Sequence, residues 1–174
     1  MKNLFSRMRQ CGKKTVLEVV EYDREGALAG VEAAVVCGVD VLMGTKFYPE
    51  VATECNRAGI KYLPFIGDIE GRPSILKGEI EEMTEEVKRV MEQGAYGVDL
   101  LAYRYPGEVE SLIEEINKVC DGKLCVAGSI DSFQRLDVVK RLKPAWFTIG
   151  SAFFNNKFGD DIPTQIDAVL KYLR

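Results

Sequence analysis

From residue 14 onward, six short apolar runs alternate without a break with six amphipathic ones. The apolar runs, at 14–22, 39–44, 61–67, 96–103, 123–130 and 146–151, are rich in Val, Ile, Leu, Phe and Tyr and bounded by Gly, Pro or Asp. That is the pattern of buried β-strands. The amphipathic runs, at 24–37, 49–58, 79–93, 108–120, 132–142 and 162–173, read as helices. Gly38, Gly59 and Gly94 follow three of these helices where a left-handed cap is needed. Pro49 and Pro163 suit first-turn positions, and Asp131 or Ser132 is placed to cap the helix that follows it. Strict β/α alternation predicts a parallel sheet with helices on its faces. Two architectures satisfy it, a parallel β/α barrel of TIM type and an open doubly wound sheet, and the alternation does not choose between them. Residues 68–77 form the longest irregular stretch, either a lid over a site or a plain loop entering a long helix.

A chain of 174 residues has room for one domain, taken here as 1–174, with a sizeable core. No apolar stretch approaches the roughly 20 residues that cross a bilayer. The first ten residues, MKNLFSRMRQ, are basic without an apolar core, so a cytoplasmic protein is expected. The five cysteines (Cys11, Cys37, Cys55, Cys120, Cys125) are scattered, make no CxxC pair, and are expected to be reduced packing thiols. A formal net charge of −4 without a basic stripe argues against a nucleic-acid partner.

Histidine is absent. That removes His-based triads, His general bases and His metal ligands, and leaves carboxylates, lysine, tyrosine, thiols and backbone donors to carry any chemistry. The clearest signal lies in the last two β/α units. In Val126-Ala127-Gly128-Ser129-Ile130-Asp131-Ser132 and in Phe147-Thr148-Ile149-Gly150-Ser151-Ala152-Phe153-Phe154, a strand runs into a Gly-Ser turn and then a helix. Glycine lets the backbone approach a ligand closely, and free N–H groups at a helix start attract an anion. Two such turns on consecutive strands are expected to converge on one phosphate, through Gly128, Ser129, Gly150 and Ser151.

Other polar residues sit in or just beyond strands. Asp99 lies inside an otherwise apolar run, where an unpaired carboxylate is costly, so it faces either a cation or a polar site. Lys46 follows a strand end and is placed to reach Asp99 across the mouth, though an isolated lysine there equally serves as a solvated charge. Glu18 and Glu21 face opposite sides of their strand, so only one looks inward. Tyr103 and Arg104 end the fourth strand, and Arg104 suits a second anionic group on a ligand or a surface ion pair. The acidic run 79–92 carries Ile80, Met83, Val87 and Val90 at helical spacing, so its carboxylates form a solvated face.

The segment VAGSIDSFQRLDVVKRLKPAWFTIGSAFF resembles the terminal phosphate-binding half of ribulose-phosphate-type barrels. Upstream, GVDVLMGTKFYPEVATECNRAGIKYLPFIGD is similar to the middle of the ketohydroxyglutarate/ketodeoxyphosphogluconate aldolases, where an NPE…A…AGIP pattern joins two strands. The strand order also resembles the glycerol uptake operon antiterminator regulators, barrels of the same phosphate-binding kind. The resemblance covers residues 14–155. Two departures stand out. The aldolases carry a Schiff-base lysine on the strand that corresponds to Val98-Asp99-Leu100-Leu101-Ala102-Tyr103-Arg104-Tyr105-Pro106, which has none. Further, if the two Gly-Ser turns close strands 7 and 8, the first two β/α units are missing from a barrel that typically takes about 250 residues.

The expected protein is therefore an enzyme on a small phosphorylated sugar or keto acid, a lyase or isomerase of aldolase, epimerase or decarboxylase type. Asp99, Glu18 and Lys46 would be catalytic, and Arg104 and Tyr103 would bind substrate. No cofactor is required, although Mg²⁺ on Asp99 and Glu18 suits hard oxygen ligands. The alternative is a non-catalytic sensor of a phosphorylated metabolite. The missing units leave raw sheet edges, so a homodimer or higher homo-oligomer is expected, with no membrane partner.

Overall fold

The computed structural model describes residues 1–174. Helix α1 (Lys2–Gln10) comes first, followed by strand β1 (Val16–Glu21), α2 (Arg24–Cys37), β2 (Val41–Thr45), α3 (Pro49–Ala58) and β3 (Lys61–Leu63). Local chemistry sets these limits. The Asp23 carboxylate accepts from the Gly26 N–H to cap α2, Pro49 opens α3, and Gly38 and Gly59 close them at φ 61° and 70°. The second half runs α4 (Ile80–Glu92), β6 (Val98–Leu100), α5 (Val109–Val119), β7 (Leu124–Val126), α6 (Phe133–Leu142), β8 (Trp146–Phe147), a single turn α7 (Ser151–Phe154) and α8 (Ile162–Leu173). Ser132 caps α6 and Asp161 caps α8.

Four expectations change, the first being the run at 61–67, of which only Lys61–Leu63 is strand. Residues 68–77 are not irregular. They form a small antiparallel hairpin, β4 (Asp68–Glu70) and β5 (Ile75–Lys77), whose central Ile69 and Leu76 are buried. The arms, Asp68-Ile69-Glu70 and Ile75-Leu76-Lys77, have three residues each, too short a pattern to stand out in a sequence. The run at 96–103 yields only three strand residues before turning into a 3₁₀ segment, Ala102–Arg104. Leu101 and Ala102 remain buried in that turn, so hydrophobicity alone extended the strand too far. The last run contributes two strand residues rather than six.

Strands β1-β2-β3 and β6-β7-β8 form two parallel ladders. A parallel bridge between Phe65 and Asp99 joins them, supported by the Asp99 N–H on Pro64 O at 2.8 Å and the Tyr96 N–H on Tyr62 O at 2.9 Å. The six parallel strands thus run in the order β1-β2-β3-β6-β7-β8. No pairing joins β8 to β1. The array is curled, not flat. Met43 of β2, Leu63 of β3 and Cys125 of β7 form one buried cluster, with Val41, Tyr96 and Trp146 against it. Cα atoms of β2 and β6, which flank β3, also come within 8 Å of each other, closer than the roughly 9.5 Å of two steps across a flat sheet. The neighbouring residues Leu42 and Tyr62 face the other way, into a core shared with α2 and α3.

Two larger cores lie outside the strands, and they divide by sequence. One holds Phe5 to Tyr62 and the other Phe65 to Val169. Helix α1 packs on α2 through Phe5, and Arg9 donates to the carbonyls of Cys37 and Gly38 at 3.1 and 2.7 Å. No helix is long and apolar enough to cross a membrane.

Candidate functional site

The C-terminal ends of β1, β6, β7 and β8 surround a cleft of about 170 Å³. Gly128, Ser129, Gly150 and Ser151 all line it, so the two Gly-Ser turns do converge. None of their four backbone N–H groups finds an acceptor within the chain. Gly128 and Ser129 both take positive φ, 78° and 66°, which turns the chain sharply out of β7. Arg135 on α6 steadies this turn. It donates to the Ser129 carbonyl and, at 2.9 Å, to Asp131. A Cβ at position 128 would lie 3.3 Å from Leu101 Cα and 3.2 Å from Arg104 Cγ, so glycine there is what lets Arg104 lie along the turn.

Arg104 and Glu18 line the same cleft. The Arg104 guanidinium donates to the Ser74 carbonyl at 3.3 Å, which brings the β4–β5 hairpin over the mouth. The hairpin is fastened on its other side by Arg72, which donates to Val20 O at 3.0 Å and Glu21 at 3.1 Å, and by the Tyr22 hydroxyl paired with Ser74. It thus contacts both β1 and the 3₁₀ turn.

Asp99 lies deeper. It is fully buried, and neither carboxylate oxygen has a hydrogen-bond partner. Burial raises its pKa well above the ordinary carboxylate value, and the nearby Glu18 raises it further. Burial also raises Glu18, although its side chain keeps exposed surface on the cleft, while Arg104 pulls it down. The arrangement is a fully buried carboxyl of raised pKa beneath the cleft, a second, less perturbed carboxyl interacting with both it and Arg104, and a set of free amides lining the cleft. Two acids whose surroundings separate their pKa values are the usual basis for distinct acid and base roles.

Two expected residues fall elsewhere. Lys46 does not reach Asp99. It lies on the far side of Phe65 in a different cavity, because the chain leaves β2 toward α3 rather than over the mouth. Tyr103 points away from Arg104, since consecutive side chains of a 3₁₀ turn lie about 120° apart. Its hydroxyl donates to Arg135 O at 3.1 Å and its ring lies 4.8 Å from that guanidinium, and burial pushes its pKa up to about 12. Ser74 and Thr148 line the cleft and were not anticipated; neither carries a local pattern that marks it. Asp131 and Arg135, four apart on a helix start, did carry one.

No family model matches the chain, and no curated protein matches it. Solved structures do. The tryptophan synthase complex from Pyrococcus furiosus superimposes with a TM-score of 0.69 at 16% identity, covering 99% of this chain and 71% of that one. A 4-hydroxy-2-oxoglutarate/2-dehydro-3-deoxyphosphogluconate aldolase gives 0.66 at 17%, over 99% and 76%. A native KDPGal structure gives 0.60 at 14%, over 97% and 73%. At such identities the likeness speaks for the fold. The chain is an α/β protein of parallel β/α units, and these similar structures are of TIM-barrel type.

Proposed function

We propose that the chain is a β/α barrel lacking its first two units, and an enzyme that moves a proton on a small phosphorylated sugar or keto acid, as an isomerase or a lyase. The observation that carries this reading is the meeting, in one cleft, of four free turn amides with Arg104 and Glu18. The amides of Gly128, Ser129, Gly150 and Ser151 take the phosphate, Arg104 completes its charge, and Glu18 and Asp99 exchange protons at the reacting end. A lysine imine has no place in this scheme, since Lys46 is outside the cleft. Mg²⁺ fits the donor set only in part. Asp99 and Glu18 are suitable oxygen ligands, but no third Asp, Glu, Cys or His gathers with them, so the ion would need substrate phosphate to fill its shell. The sensor reading is favoured by one fact, the complete burial of Asp99 beneath the cleft.

Calorimetric titration with inorganic phosphate tests the anion site. Binding is expected, weakened about tenfold or more in Arg104→Ala, since a charge-assisted hydrogen bond contributes about 1.5–3 kcal/mol. No binding to the wild-type chain sinks the phosphate reading. Deuterium uptake from D₂O into triose, pentose and keto-acid phosphates, followed by NMR, separates enzyme from sensor. Uptake that Asp99→Asn abolishes supports catalysis; phosphate binding without uptake on any of them leaves the sensor.

We further propose a homodimer. Val16 on the unpaired edge of β1 is 44% exposed, and α8 presents Ile162, Ile166 and Leu170, one turn apart and 43%, 40% and 52% exposed. Apolar surface left in water costs about 25 cal/mol per Å², which favours covering this face with a second copy. Light scattering over a dilution series should report twice the monomer mass, and a monomer that persists at micromolar concentration overturns the proposal.

A further inference from the structure

A second cavity, of about 580 Å³, is larger than the cleft just described. It lies on the other side of Phe65, whose ring is a wall common to both. Lys46, Phe47 and Tyr48 after β2 form one bank, and α4, with Glu82, Met83, Glu86 and Arg89, forms the other. Its size is that of small-molecule sites in general.

Its charges do not cancel internally. Glu86 accepts from the Gly67 N–H at 2.8 Å and faces Arg89 at 3.9 Å, and the nearby Lys46 ammonium adds to the positive charge it feels. Three charged side chains there make no direct ion pair. Lys46 has no ion pair and no side-chain hydrogen bond, and it is the one such lysine in the chain that is part-buried; Lys2, Lys13, Lys143, Lys157 and Lys171 are exposed. Asp68 and Glu82, both exposed at the rim, have no cationic partner within ion-pair distance. Between these poles the wall is apolar. Phe65 and Met83 are buried, and Phe47 is held by stacking on Tyr62 at 6.1 Å.

We propose that this cavity is a second ligand site, for an α-amino acid with a large apolar side chain. The amino acid's carboxylate answers Lys46, its ammonium answers Asp68 and Glu82, and its side chain lies on Phe47, Phe65 and Met83. A phosphate dianion meets two repelling carboxylates here, and a simple amine meets Lys46, so the zwitterion is the species the charges select. The inference does not depend on what occupies the first cleft.

Calorimetry on the full chain tests it with L-leucine, L-methionine and L-phenylalanine. Each is compared with analogues lacking one pole, such as isocaproate and isopentylamine for leucine, hydrocinnamate and phenethylamine for phenylalanine. At least one amino acid is expected to bind with a Kd near or below about 1 mM, and both of its analogues at least about tenfold more weakly. Lys46→Met should weaken the amino acid by a similar factor. Glu82→Gln, a change on an exposed helix face, should weaken it while leaving isocaproate or hydrocinnamate unaffected, and this arm stands even if the lysine variant folds poorly. The proposal falls if no amino acid binds at about 10 mM, if the analogues bind equally well, or if neither substitution changes the affinity.

Discussion

Asp99→Asn should melt at a higher temperature than the wild type at neutral pH, and the gain should shrink to nothing as the pH falls to about 4. Asp99 is sealed from water with both oxygens unpartnered, and its pKa is raised well above the ordinary value. An acid whose pKa rises on folding binds more protons folded than unfolded. Its favourable contribution is therefore complete below the unfolded pKa, near 4, and is lost as the pH climbs toward the folded value. Each unit of that climb costs about 1.4 kcal/mol. Asparagine has the shape of the neutral acid and cannot ionise, so it escapes the loss. In a domain of this size each kcal/mol moves the melting temperature by about 2–4 °C, which makes the expected gain easy to measure. The comparison must be variant minus wild type at each pH, because Glu18 and Glu86 are raised in the same direction and Asp40 is lowered. A variant less stable than wild type at neutral pH would mean that the Asp99 carboxylate has a partner after all. A residue retained at a cost in stability is characteristic of a working site.

Gly128→Val should abolish phosphate binding, by about a hundredfold or more, with a smaller loss of stability. Position 128 has φ 78°, a conformation that a β-branched residue pays to adopt. Its Cβ would meet Leu101 Cα at 3.3 Å, and backbone yields less readily than a side-chain tip. Relief requires the turn to move away from Arg104, which separates the Gly128 and Ser129 amides from the charge beside them. Calorimetry with inorganic phosphate checks affinity, and circular dichroism confirms that the fold persists. Full retention of phosphate affinity would show that this turn does not hold the anion.

The order of elements was readable because apolar periodicity and helix punctuation agree along the chain. The helices 24–37 and 49–58 end where Gly38 and Gly59 place their boundaries, and 162–173 begins where Pro163 places it. Strand ends were less readable, since Leu101 and Ala102 are as buried in a turn as they would be in a strand. The Gly-Ser turns were visible because phosphate-like ligands are met by backbone, and backbone demands leave glycine behind. The position of Lys46 was not, because one residue beyond a strand end the chain can turn either inward or outward, and its sequence neighbours are alike in both cases. Whether β8 meets β1 is a matter of closure over the whole sheet, which no local pattern records.

The division of the core near residue 63 has a bearing on how the protein is made. Phe5, Val31, Leu42, Val51 and Tyr62 pack together without any residue from the second half, and the halves meet through backbone bonds around Phe65 and Asp99, the Met43–Leu63–Cys125 cluster and the hairpin's contacts with β1. On the ribosome, the first half has all the partners its core needs before the second half has been synthesised, and chains of this kind fold from the N-terminus as they emerge. The nascent three-stranded ladder then offers β3 as a template on which β6 docks, so the seam that carries Asp99 is also the step at which the growing chain commits to a single curled sheet.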